Sequence, residues 1–242
     1  MKVGILYGIG VGPGDPELIT VKGASLLGRC RHVFVPKARA AAESVALAIA
    51  RRYLGPNAEV HELVFPMTSD QDELSLHWEA SAREIAPFLE KGEDVCFLTL
   101  GDPLLYSTYI YLLRAVRSIL PDLNIVTVPG VTAFSAAAAL SAFPVGEGKA
   151  PVTIVPAADD LKDVRRALNG GGTVILMKIG KRLPDIIDLL EETGLIDRSA
   201  FVSHAGMPNQ RVETDLRRLH RESAESGYLS IILVHAAGGA IP

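Results

Sequence analysis

The chain is short of cysteine, of long apolar runs and of positive charge, and each shortage removes a class of function. Cys30 and Cys96 are the only two cysteines among 242 residues. Two are too few for a disulfide framework, and no Cys/His spacing in the sequence fits zinc. No apolar run approaches the ~20 residues that a membrane span needs. The first apolar stretch, Lys2 to Tyr7, is short, and glycines and Asp15 follow at once, unlike a signal peptide. A reducing cytoplasmic setting is therefore expected. Lys and Arg number 24 against 28 Asp and Glu, a formal net charge of −4, which argues against non-specific nucleic-acid binding. The basic run Arg217-Arg218-Leu219-His220-Arg221 reads as a solvated helix face.

A standard nucleotide fingerprint is missing too. Gly8-Ile9-Gly10-Val11-Gly12-Pro13-Gly14-Asp15-Pro16 looks like G-x-G-x-x-G but fails on inspection. Counted from Gly8 the third glycine falls on Pro13, and counted from Gly10 it falls on Asp15. No glycine-lysine pair stands where a P-loop needs one. What remains is a Gly-rich turn from strand to helix. Asp15 suits a helix cap and Pro16 a first helical position.

What the sequence does have is 48% hydrophobic residues in a nearly unbroken alternation of strand and helix patterns. Strands are expected near 2–8, 31–35, 59–64, 94–100, 124–128, 152–156, 172–178, 199–203 and 228–235. Helices are expected near 16–28, 41–54, 71–91, 104–119, 132–142, 159–169, 182–193 and 215–224. Such alternation implies an α/β protein with largely parallel sheets. A break near Leu120-Pro121-Asp122 divides the chain into domains 1–120 and 121–242. The polar segment Phe65-Pro66-Met67-Thr68-Ser69-Asp70-Gln71-Asp72 is either a loop over a cleft or the cap of the following helix.

Four strand-end turns carry the functional signal. The first is the glycine loop. The second is Leu98-Thr99-Leu100-Gly101-Asp102-Pro103-Leu104-Leu105-Tyr106-Ser107-Thr108 after the run Asp94 to Phe97. Gly101 permits a close backbone approach there, and Pro103 ends the strand ladder. The third is Val128-Pro129-Gly130-Val131-Thr132-Ala133, before a helix rich in small residues. The fourth comprises Leu176-Met177-Lys178-Ile179-Gly180 and Ser203-His204-Ala205-Gly206-Met207. His204 is either a base or, as lone histidines usually are, structural. Turns at strand carboxyl ends are where α/β sheets bind ligands.

In order and spacing, these segments resemble the tetrapyrrole methyltransferases, the class III S-adenosylmethionine-dependent methyltransferases, over nearly the whole chain. The resemblance rests on Gly10-Val11-Gly12-Pro13-Gly14-Asp15-Pro16-Glu17-Leu18-Ile19-Thr20, Gly101-Asp102-Pro103, Pro129-Gly130-Val131-Thr132-Ala133 and the closing strand Ser230 to Val234. Within the family the chain is most similar to members that methylate precorrin-2 or cobalt-factor II at the C(20) meso carbon in cobalamin synthesis. Tyr7 to Pro16, Phe65-Pro66-Met67-Thr68, Leu98 to Tyr109 and Leu176-Met177-Lys178 carry that finer likeness. Uroporphyrinogen-methylating relatives usually have Gly-Gly-Asp-Pro, whereas Leu100 precedes Gly101 here.

The resemblance implies two α/β domains of the tetrapyrrole methylase fold with a cofactor cleft, a homodimer, and S-adenosylmethionine bound in a folded shape. By motif position it implies that Pro13 lines the cleft and that Leu100, Gly101, Asp102 and Leu105 hold the amino-acid end of the cofactor. Thr132 and Ala133 approach it, Met177, Gly206 and Met207 contact the adenosine, and Ser230 is a further contact. Asp15 is the candidate for assisting proton removal; its other reading is a helix cap. Lys37, Arg39, Lys178, Lys181, Arg182 and Arg211 are candidates for the substrate's carboxylates, or solvated charges. Met67 and Tyr106 are candidates for apolar contact with the macrocycle. Other readings are methylation of a different corrin carbon, an rRNA ribose or a modified histidine, a nucleotide-binding protein, and a tetrapyrrole carrier without catalysis.

Overall fold

The computed structural model describes residues 3–37, 43–65, 70–156, 160–219 and 227–236. Two compact units divide the chain, Met1–Thr132 and Ala133–Pro242.

The first unit is built on five strands: β1 (Ile5–Gly10), β2 (His32–Lys37), β3 (Glu59–Val64), β4 (Val95–Thr99) and β5 (Asn124–Val128). They pair in the order β3-β2-β4-β1-β5, and every pairing is parallel. A parallel sheet is covered on both faces, so its inner strands read as continuous apolar runs; β4 is buried from end to end. Successive side chains then serve opposite faces. Leu6, Phe34 and Phe97 join one core cluster, while Tyr7, Val33 and Leu98 join the other. Helices α1 (Val21–Leu27) and α2 (Val45–Ala50) supply Leu26, Leu27, Leu47 and Ile49 to the second of these. Helices α3 (Gln71–Glu90) and α4 (Tyr109–Ile119) cover the other face with Ile85, Leu89, Leu112 and Val116.

The helix starts follow local chemistry. Asp70 caps α3, its carboxylate accepting from Asp72 N at 2.9 Å and Glu73 N at 3.1 Å. That favours the cap reading for Asp70; residues 66–69, Met67 among them, lie outside the described residues, as does Arg39. The single helix expected over 16–28 is two pieces. A 3-10 turn over Pro16–Leu18 ends in extended backbone at Ile19, and Thr20 caps α1 afresh. The helix expected from 104 starts at Tyr109, because Ser107 Oγ accepts from Tyr109 N at 3.1 Å and Tyr106 has a φ of 51°.

The second unit holds β6 (Val152–Pro156), β7 (Thr173–Met177), β8 (Ser199–Ser203), β9 (Arg211–Glu213) and β10 (Ser230–His235), in the order β6-β7-β10-β8-β9. Here the expectation of a parallel sheet is corrected. Only β6 and β7 are parallel; β10 runs against both β7 and β8, and β9 runs against β8. Helices α6 (Leu161–Asn169) and α7 (Leu183–Glu192) bury Val164, Leu168, Ile186, Ile187 and Leu190 against it. The helix α5 (Ala133–Leu140) packs on β8 and β10. β9 was expected as loop, and the helix expected over 215–224 is a 3-10 turn, Leu216–Leu219, as far as it is described.

The division expected after residue 120 falls instead after Thr132. The reason is pairing: β5 extends the first sheet beside β1, with Ile5 opposite Asn124. Cys30 and Cys96 are free and buried. Among the described residues no helix is long and apolar enough to cross a membrane.

Candidate functional site

Because the first sheet is wholly parallel, the turns leaving β4, β1 and β5 emerge side by side at one edge. They are locked together by backbone. Val11 N donates to Thr99 O at 3.0 Å, Gly101 N to Gly12 O at 2.8 Å, and Gly12 N to Gly101 O at 3.3 Å. Gly12 and Gly101 thus form an isolated antiparallel bridge between two parallel strands' exits. A Cβ on Gly10 would stand 2.6 Å from both Gly101 O and Gly130 N, and one on Gly130 would run into Gly101 O. No side chain fits at either position, so three backbones meet where two side chains would otherwise be.

Asp102 ties the edge from above. Its Oδ1 accepts from Leu104 N at 2.9 Å and its Oδ2 from Gly130 N at 3.1 Å. Both oxygens therefore hold backbone, which makes Asp102 a clamp between the second and third turns. Below it, Thr99 Oγ1 and Ser107 Oγ share a hydrogen bond of 2.7 Å, and Tyr109 Oη meets Thr127 Oγ1 at 3.0 Å. The first pair fixes the second turn to β4, and the other fixes the start of α4 to β5. Gly101 itself has a φ of +70° and nothing within 4 Å of where a Cβ would sit. That is a bare, open cradle of peptide groups. Pro13, which follows Gly12, is buried; Leu100, Asp102, Leu105 and Thr132 are half-buried, and Tyr106 is exposed.

Asp15 does what its sequence context offers. Its Oδ1 accepts from Glu17 N at 2.8 Å, capping the 3-10 turn. Lys37, on the last position of β2, lies 2.9 Å from Glu62 Oε2 and is mostly buried.

The second unit has a corresponding edge of its own. Register places Ser230 opposite Ser203 and Ile231 opposite Met177, so the end of β7, the end of β8 and the start of β10 coincide. Three non-glycine residues there, Lys178, His204 and Leu229, have φ between 48° and 54°. Such backbone costs of order 1–3 kcal/mol each and gathers at ligand sites. His204 N donates to Leu229 O at 3.0 Å, and Gly206 N to Gln210 Oε1 at 2.8 Å. Ser230 is buried and donates its hydroxyl to Gly227 O at 2.6 Å. Met177, Gly206 and Met207 are half-buried and Lys178 is exposed. Arg182 pairs with Asp185 at 3.0 Å and Arg211 with Glu213 at 3.8 Å; Lys181 is exposed. Ala133 opens α5 and is half-buried.

The sequence reading made Gly101 a site residue but gave Gly10, Gly12 and Gly130 only within turn motifs, although they do as much to build the edge. Their signal was present as Gly-x-Gly-x-Gly and Pro-Gly. The left-handed side-chain-bearing residues had no signal, since nothing in their type demands that conformation.

The family described as Tetrapyrrole (Corrin/Porphyrin) Methylases matches residues 5–220. A cobalt-precorrin-2 C(20)-methyltransferase of Salmonella typhimurium is 34% identical over 233 residues, 96% of this chain and 96% of its own. A precorrin-2 C(20)-methyltransferase of Sinorhizobium is 30% identical over 240 residues, 96% and 95% of the two chains. Among solved structures, a uroporphyrin-III C-methyltransferase of Thermus thermophilus, complexed with S-adenosylhomocysteine, superposes with a TM-score of 0.64. It is 21% identical, covering 96% of this chain and 97% of that one.

Proposed function

Because the chain belongs to the tetrapyrrole methylase family, we propose that it methylates precorrin-2 or its cobalt complex at the C(20) meso carbon, with S-adenosylmethionine as donor. The observation that carries this reading is the near end-to-end identity, 34% and 30%, with two relatives named for that reaction. The donor is supported by the solved relative that holds S-adenosylhomocysteine.

The residues fit such a donor. A bare cradle at Gly101, with no Cβ contact within 4 Å, suits a ligand read by peptide groups. S-adenosylmethionine supplies a methyl group already electrophilic on its sulfonium, and the meso carbon of a reduced tetrapyrrole is an enamine-like nucleophile. The protein then has no need of a nucleophile of its own. Its work is to hold two partners in line and close, and to keep water out. Rigid, glycine-locked turns do this at little entropic cost.

In this reading Leu100, Gly101, Asp102 and Leu105 hold the amino-acid end of the donor, with Pro13, Thr132 and Ala133 beside it. Met177, Gly206, Met207 and Ser230 contact its adenosine. Asp102 acts by holding Leu104 N and Gly130 N, and so positions the turns. Tyr106, Lys37, Lys178, Arg182 and Met67 are the substrate-side candidates. Asp15 serves as a cap, and the meso proton leaves to another acceptor. A homodimer in the cytoplasm completes the reading; two free, buried thiols suit a reducing compartment.

The test is anaerobic product analysis with labelled S-adenosylmethionine, offering precorrin-2 and cobalt-precorrin-2 side by side. One added methyl, located at the C(20) bridge by NMR, is the expected result. Transfer to neither, with S-adenosylhomocysteine still bound tightly, would remove the acceptor assignment and leave the family intact.

A further inference from the structure

The opposite end of the first sheet carries side chains where the strand-exit edge carries backbone. Parallel register sets His32 opposite Glu59 and Phe34 opposite His61. Residues two apart share a face, so His32, Glu59 and His61 converge under α3. Among the described residues they form the one group of three His, Cys, Asp or Glu side chains whose ligand atoms all lie within 4.8 Å of one another. We propose that His32, Glu59 and His61 bind a divalent transition ion of the zinc type.

The distances suit an ion's ligands as well as a hydrogen-bonded pair. His32 Nδ1 is 3.3 Å from His61 Nε2 and 3.5 Å from Glu59 Oε2. Bonds of about 2.0–2.1 Å to a tetrahedral ion space its ligand atoms about 3.3–3.4 Å apart.

Neighbouring groups also face the ligands from behind, and Glu59 is hydrogen-bonded there, as metal ligands often are. Glu93 Oε2 lies 2.9 Å from His32 Nε2, though out of line with the N–H bond, so that buried nitrogen makes no aligned hydrogen bond. With its proton on Nε2, facing Glu93, His32 presents a lone pair at Nδ1. Arg31 Nε donates to Glu59 Oε1 at 3.0 Å, which leaves Oε2 to face His32. The His61 ring stacks on Phe34 with centroids 4.5 Å apart and planes 14° apart. Phe88 of α3 lies 4.3 Å from the His32 ring. Two imidazoles and one carboxylate suit zinc, and hard ions such as magnesium are poor fits. A fourth position remains for water. β3 is the edge strand, so the ion would fasten it to β2, at the end of the sheet away from the strand-exit turns.

The experiment uses the full-length chain stripped by EDTA. Zn2+ is titrated in competition with a chromophoric chelator, and thermal melting is followed with and without the ion. One Zn2+ per chain and a raised melting temperature are expected, with Mg2+ giving neither. His61→Ala and Glu59→Gln should each weaken binding at least about tenfold. Co2+ should give the intense visible absorption of a four-coordinate site, and His61→Ala should abolish it. If His61→Ala does not fold, His61→Gln, checked by circular dichroism, carries the comparison. No binding by the wild-type chain, or equal binding by the His61 variant, would overturn the proposal and leave His61 as a hydrogen-bond donor to His32.

Discussion

The two ends of the first sheet are made by opposite means. At the carboxyl ends of β4, β1 and β5 the turns touch backbone to backbone through Gly10, Gly101 and Gly130. At the amino ends of β2 and β3 the contacts run through imidazole, carboxylate and guanidinium. The difference lies in what they leave for a ligand: peptide groups and open space at one end, lone pairs at the other. A large organic cation with its own reactive centre suits the first. An ion needing donor atoms suits the second.

A matched pair of glycine substitutions gives the largest expected effect and separates the ends most sharply. Gly130→Ala drives a methyl into Gly101 O, and Gly55→Ala, near the start of β3, places one 2.5 Å from Gly28 O. Both should lose about 1–3 kcal/mol of stability by overpacking, read by urea unfolding. Only Gly130→Ala should also lose about 100-fold in kcat/KM and a comparable factor in S-adenosylhomocysteine affinity. Equal kinetic losses in the two would erase the distinction drawn between the edges.

Asp102 comes next. Asp102→Ala leaves Leu104 N and Gly130 N without their acceptors, which should cost about 1–3 kcal/mol and weaken S-adenosylhomocysteine binding measured by calorimetry. Asp102→Asn keeps one acceptor oxygen and should fall between alanine and wild type. An Asn variant as poor as the Ala variant would mean that the charge, and not the clamp, is what matters.

The smallest effect is expected at Asp15. Asparagine caps as well as aspartate, so Asp15→Asn should leave kcat within about threefold of wild type. A general base removed there would instead cost about 10²–10⁴-fold. Single-turnover transfer with labelled donor distinguishes the two, and a large loss would make Asp15 the proton acceptor.

Much of the fold was legible because the first sheet is buried on both faces. Val95 to Thr99 could be read as a strand from its apolar run alone, and β3, β5, β6 and β8 fell on the residues expected. The second sheet was misread for a physical reason. Alternating strands and helices imply parallel pairing, but β10 slots between β7 and β8 and reverses the direction, which no local pattern announces. β9 is three residues with Arg211 and Glu213 at its ends, too short and polar for period-two alternation to register. The start of α4 was overrun because Leu104 and Leu105 continue an apolar periodicity while Asp102 and Ser107 turn the chain. At the site, the motif glycines were visible as turn formers, yet their mutual contact depends on strand order. The His32–Glu59–His61 cluster was invisible, since 27 and 29 residues separate its members from His32 and only register unites them.

The interlock of Gly10, Gly101 and Gly130 also sets a timetable. Its three parts are spread over 120 positions of the chain, and none of the contacts is local. Contacts of such long sequence separation form late and limit the folding rate. During synthesis the strand-exit edge stays incomplete until β5 and the Pro129-Gly130 turn have left the ribosome, although β1 and β4 are made long before. A chain cut after residue 120 would keep four of the five strands and the Gly12–Gly101 bridge, but lose the Gly130 turn that closes the edge. The binding surface is therefore a late product of folding, and its appearance reports that the first sheet is whole.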